Sequence, residues 1–105
     1  MPDVPDSVLI PFAGAPPEWW HCVPIHLAPR AGGEHDGGFH YLVDLAPPDM
    51  LSYYKEALRQ AGCEERMGEL VAGDYSLLSC DRYSDSATIY ISPRGSGSLV
   101  SVIVA

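Results

Sequence analysis

The chain has 105 residues, 47% of them hydrophobic, with fourteen acidic and six basic side chains giving a formal charge of −8. That length and apolar content suit a single domain, 1–105, with one modest core, and count against a disordered chain. Nucleic acids and anionic membranes attract proteins with a surplus of Lys and Arg, whereas the bases here (Arg30, Lys55, Arg59, Arg66, Arg82 and Arg94) are few and scattered, so neither is an expected partner.

Residues 1–15 read as an extended, proline-punctuated N-terminal segment with room for one short strand at Val8 to Phe12. Its apolar stretch VLIPFAGA is not a secretory signal, because Asp3 and Asp6 precede it and Pro11 interrupts it. The chain is therefore expected in the cytoplasm if Met1 is the true start, and in the cell envelope if a leader precedes it. No run approaches the roughly 18 apolar residues of a membrane span.

In WWHCVPIHLA, Val23, Ile25 and Leu27 alternate with Cys22, Pro24 and His26, the two-residue period of a half-buried strand. Pro24 has no amide hydrogen for a ladder, which places that strand at a sheet edge. PRAGGEHDGG, residues 29–38, has turn composition and reads as a mobile loop. FHYLVDL alternates again and is expected to pair with the first strand as a long hairpin. Pro47 and Pro48 end it and can open a helix, since the first helical turn donates no intrahelical hydrogen bond.

The helix, Pro48 to Ala61, carries Met50, Tyr54, Ala57, Leu58 and Ala61 as one apolar stripe, with Gly62 as its C-terminal cap. A linker, EERMGELVAGD, leads to three strands: YSLLSCDR, SATIYIS and SLVSVIVA. The last is apolar on both faces and belongs inside a sheet or against a partner. The expected fold is α+β: a single antiparallel sheet of four to five strands in β-β-α-β-β-β order, with one amphipathic helix packed on one face.

Little in the chain looks like reaction chemistry. Cys22, Cys63 and Cys80 are odd in number and lack CxxC spacing, which counts against a thiolate zinc site and leaves three reduced, packed thiols in the cytosol, or one disulfide with a free thiol outside it. All four histidines fall within residues 21–40. His26 and His40 would stand on the outer surface of the proposed hairpin, with His35 in the loop beside Glu34 and Asp36. A metal site on His26, His35 and His40 is geometrically open, although no HExxH, HxH or HxxxH spacing occurs. No serine lies in a GxSxG turn, and His21 and Cys22, adjacent along a strand, face opposite ways. Trp19 and Trp20 must likewise diverge, one packing while the other stays exposed as an anchor for a partner. Tyr53 lies just off the buried helical stripe.

PEWW, VPIHLAP and LAPPDMLSYYKEALRQAGC, followed by three strands, resemble small bacterial α+β modules found in lipoproteins and other envelope proteins, most without an assigned activity. The likeness covers residues 16–105 and rests on Tyr54, Leu58, Ala61 and Gly62; Cys63 stands where an aromatic is usual. It implies the fold and carries no catalytic motif. The expectation is a non-catalytic domain without a cofactor. It would bind a protein or small ligand through a surface at Trp19, Trp20 and Tyr53 or through the C-terminal strand, with homodimerisation through an edge strand as one outcome. The competing expectation is a metal-binding protein using His26, His35 and His40.

Overall fold

The computed structural model describes residues 4, 7–12, 19–20, 23–25, 29–60, 69–72, 75–82 and 85–104. Among them run β1 (Trp19–Trp20), β2 (Val23–Pro24), β3 (Ala31–His35), β4 (Gly38–Val43), α1 (Pro47–Gln60), β5 (Glu69–Ala72), β6 (Tyr75–Arg82), β7 (Asp85–Arg94) and β8 (Gly97–Val104). Strands β3 to β8 form one antiparallel sheet in the order β3-β4-β8-β7-β6-β5, while β1 and β2 make a separate short ribbon. The fold is α+β, with one helix on one face of an antiparallel sheet.

The sheet is wider than the sequence reading allowed for, and two local signals explain why. Residues 29–38 are not a mobile loop: β3 and β4 pair from Ala31↔Leu42 to His35↔Gly38 around the two-residue turn Asp36–Gly37. Both turn residues have positive φ, 48° at Asp36 and 77° at Gly37, the backbone hand that matches the twist of a hairpin. Asp-Gly is the sequence signature of that turn. The second addition is β5, inside the expected linker, which pairs with β6 from Glu69↔Leu78 to Ala72↔Tyr75.

The partner expected for β4 is also corrected. Val23–Pro24 folds back on Trp19–Trp20 instead of joining the sheet. With no amide hydrogen at Pro24, a short ribbon asks less of this segment than a full ladder would. Strand β8 lies between β4 and β7, so both its edges are occupied and it offers none for sheet extension. Its apolar character on both faces is that of an interior strand.

Helix α1 begins where its prolines allow. The Ala46 carbonyl accepts from the Asp49 and Met50 amides at 3.0 and 3.1 Å, and Pro47, which has no amide hydrogen, takes the first helical position. Met50, Tyr54 and Leu58 are fully buried against Tyr41, Ile89, Ile91, Val100 and Val102 of the sheet's inner face. Each such side chain contributes about 1.5–3 kcal/mol by leaving water. The Tyr41 and Tyr54 hydroxyls hydrogen-bond to one another within this apolar layer. The exposed side of α1 is tied by Glu56, which accepts from Arg59 at 2.6 Å and from Gln60 at 2.9 Å.

The opposite face carries the row Gly33, His40, Ser101, Tyr90 and Leu77, each directly across from the next. Residues 7–12 run along the β3 edge. The Gly32 amide donates to the Ile10 carbonyl at 3.0 Å, and Pro11 bridges to Ala31. The Val8 carbonyl comes so close over Gly33 that a Cβ there would lie 2.7 Å from its oxygen, which only glycine permits. The expected strand at Val8 to Phe12 is thus a strap with one ladder bridge.

Candidate functional site

Phe39 organises one end of the sheet's inner face. Its ring takes Phe12 on one contact, with centroids 6.3 Å apart, and Trp20 on another at 5.5 Å. Two segments distant in sequence, the strap and the β1–β2 ribbon, are therefore held to the same side chain. Each stacked pair contributes about 0.5–1.5 kcal/mol beyond its buried area. The residues flanking these anchors point elsewhere. Trp19, next to Trp20, is 51% exposed, and Ile10, two residues before Phe12, is 58% exposed. Among the described residues these are the exposed large hydrophobic side chains. Glu34 stands directly across from Phe39 on β3 and is exposed, so a carboxylate borders the same end of the sheet.

Tyr53 is half-buried and has a packing role. Its ring meets Tyr54 edge to face at 5.2 Å, and its hydroxyl reaches towards the Ile25 carbonyl at 3.4 Å. Burial pushes its phenol above the usual tyrosine value. It fastens the end of the ribbon to the helix.

The histidines occupy different environments. His40 does face away from the core formed with α1, as its even position implies, but it does not point into water: it is 1% exposed. Its Nε2 lies 3.0 Å from the His35 carbonyl oxygen, which can only accept, so Nε2 carries the proton. The remaining nitrogen, Nδ1, accepts from the Ser101 hydroxyl at 2.8 Å. The strap crosses Gly33, the residue opposite His40 on the neighbouring strand.

This arrangement joins a hydroxyl, a base and a group that orients the base, the parts of an activated nucleophile. Ser101 is only 3% exposed, however, and its burial keeps a substrate atom from Oγ. What the pair does in this fold is satisfy two buried polar groups, each costing about 1–3 kcal/mol if left unpaired.

His35 lies 6.1 Å from His40 between ring centroids, with its Nε2 3.2 Å from Asp36 Oδ2. Using His40 as a metal ligand at Nδ1 would break its bond with Ser101. Among the described residues no three His, Cys, Asp or Glu side chains come together as a metal-binding group. His26, Cys22 and Cys63 lie outside the described residues, as does the Gly62 cap, and of Cys80 only the backbone register, opposite Ala87, is described.

Two participants escaped the sequence reading. Ile10 sits in an apolar run that reads only as a short strand, Val8 to Phe12. Ser101 is paired with His40 across 61 positions, a partnership that only sheet register creates. Among the described residues no helix is long and apolar enough to cross a membrane. Compared with known protein families, curated proteins and solved structures, the chain matches none.

Proposed function

We propose that this chain is a non-catalytic binding domain whose working surface is the end of the sheet around Trp19 and Ile10. The observation that carries the reading is the contrast within two short segments. Phe12 and Trp20 are packed on one ring, while Ile10 and Trp19 beside them remain in water. A large apolar side chain held out of the core by a fixed neighbour is pre-organised for contact, because little freedom remains to be lost on binding. Tryptophan is enriched among the residues that dominate interface energies.

A photo-crosslinking residue placed at position 19 tests it, with the same residue at exposed Ser52 on α1 as control. In extract of the native cell, a discrete product should form from position 19 and disappear with Ile10→Asp. Equal yields from both positions would refute it.

The competing reading has His26, His35 and His40 hold a metal ion, and the proximity of the His35 and His40 rings favours it. Protein purified without a histidine tag would then contain stoichiometric metal that is lost in His35→Ala.

A further inference from the structure

We infer that residues 7–12 are an autoinhibitory strap: they cover in cis the β3 edge, which, once uncovered, pairs antiparallel with β3 of a second copy of this chain. The inference is independent of what binds at Trp19.

Strand β3 ends the sheet on one side. His35 and Gly38 flank the two-residue turn as a hydrogen-bonded pair. By alternation Ala31, Gly33 and His35 bond to β4, while the amides and carbonyls of Gly32 and Glu34 point away from it. The Gly32 amide accordingly donates outward, to the Ile10 carbonyl at 3.0 Å. Beyond that bond the strap turns, with the Val8 carbonyl coming over Gly33, and among the described residues no strand meets the outward groups of Glu34. Ala31–His35 contains no proline, lysine or bulge, the usual protections of an open edge, so the strap is what guards it. Among the described residues its hold on the sheet consists of the Gly32 bond, the Pro11–Ala31 bridge and the Phe12–Phe39 stack.

The second copy is named by the strand's own sequence, AGGEH. With Gly33 on a two-fold axis perpendicular to the sheet, Ala31 faces His35 of the second copy, Gly32 faces its Glu34, and all five positions pair. Gly32 and Glu34 are the outward-pointing residues, so each of these two pairs exchanges two backbone hydrogen bonds. A glycine then stands opposite each Glu34, and the carboxylates do not oppose one another. Just past the strand ends the same register brings Arg30, its side chain 56% exposed, abreast of Asp36 of the second copy, 87% exposed. The strap must leave before this ladder forms, because it already holds the Gly32 amide.

Gly33→Ala is the chosen probe: its Cβ would lie 2.7 Å from the Val8 carbonyl oxygen and push the strap off without altering an outward group of β3. In sedimentation velocity the wild-type chain should run as a monomer of 11.4 kDa. Gly33→Ala should shift towards twice that mass, and further with added salt, which screens two chains of charge −8. Phe12→Ala, which frees the strap's other end, should do the same. Adding Glu34→Pro to either should restore the monomer, because it removes an outward amide hydrogen that neither β4 nor the strap uses. Circular dichroism should report an intact sheet throughout. Gly33→Cys should give, on mild oxidation, a dimer joined between the two copies of position 33, identified by peptide mass mapping. Monomers from both Gly33→Ala and Phe12→Ala would overturn the inference. So would self-association that survives Glu34→Pro, which would place the contact on another surface such as the β5 edge. A wild type as dimeric as Gly33→Ala would overturn the guarding role of the strap.

Discussion

Replacing Phe39 with leucine should loosen the candidate surface before it unfolds the protein. The substitution removes the ring on which Phe12 and Trp20 stack at 6.3 and 5.5 Å but leaves an apolar side chain in the sheet. Two aromatic pairs at about 0.5–1.5 kcal/mol each give a loss of about 1–3 kcal/mol before any volume change is counted. Part of that loss falls on the strap alone, and the strap has its own reporter. The Gly32 amide donates to the Ile10 carbonyl at 3.0 Å and exchanges with solvent when residues 7–12 lift away. If the strap loses its Phe12 contact, worth about 1 kcal/mol, the Gly32 amide should exchange about fivefold faster. Amides of β7 and β8 in the sheet interior should accelerate only as far as global stability falls. Hydrogen exchange followed by NMR, residue by residue, separates the two. A uniform acceleration across Gly32, β7 and β8 would refute the claim that Phe39 fastens the strap.

The buried tyrosine pair should behave as a unit. Tyr54→Phe and Tyr41→Phe should each cost about 1–3 kcal/mol in urea unfolding, and the double variant little more than one alone, because the second change removes the hydroxyl that the first deprived of this bond; additive losses would contradict this. Burial, with the neighbouring Tyr41 adding to it, holds the Tyr54 phenol neutral well above the ordinary value of 10.0. The unfolded chain therefore ionises first, and this group's stabilisation, complete below about pH 10, should be lost as pH rises beyond it. Tyr54→Phe should shallow that alkaline decline in a pH series of thermal melts. Ser101→Ala should cost about 1–3 kcal/mol by removing the donor to buried His40 Nδ1, and 15N NMR of the wild type should find the neutral His40 ring as its Nε2–H tautomer. Gly37→Val should destabilise by about 1 kcal/mol or more, since φ is 77° there, whereas Asp36→Asn should be nearly neutral in the same melts.

Much of the scaffold could be read from periodicity. Of the expected stripe Met50, Tyr54 and Leu58 are buried and Ala57 is partly so, Ala61 lying outside the described residues, and the three final strands fall close to their expected places. Composition misled at residues 29–38, where glycine content suggested a loop. There the glycines let β3 lie close to Tyr41 on one side and Val8 on the other, and Asp36–Gly37 makes the turn. Residues 69–72 offered too short an apolar run to stand out from a linker. Pairing partners were the hardest to foresee. His40 looked like a surface imidazole because its face was right, but its burial and its bond to Ser101 depend on contacts far along the chain. The candidate surface was half legible. Consecutive tryptophans had to diverge, whereas the ring that Trp20 stacks on, and the exposure of Ile10, follow from tertiary packing.

The reading of this chain as a binding domain comes down to whether the indole of Trp19 stays in water when the protein is among its natural partners. Hydroxyl-radical footprinting of the purified chain and of the chain in native extract measures that directly. Trp19 and Ile10 should be oxidised readily in isolation and strongly protected in extract, while residues of the exposed side of α1 react equally in both. Unchanged oxidation of Trp19 and Ile10 in extract would contradict the account.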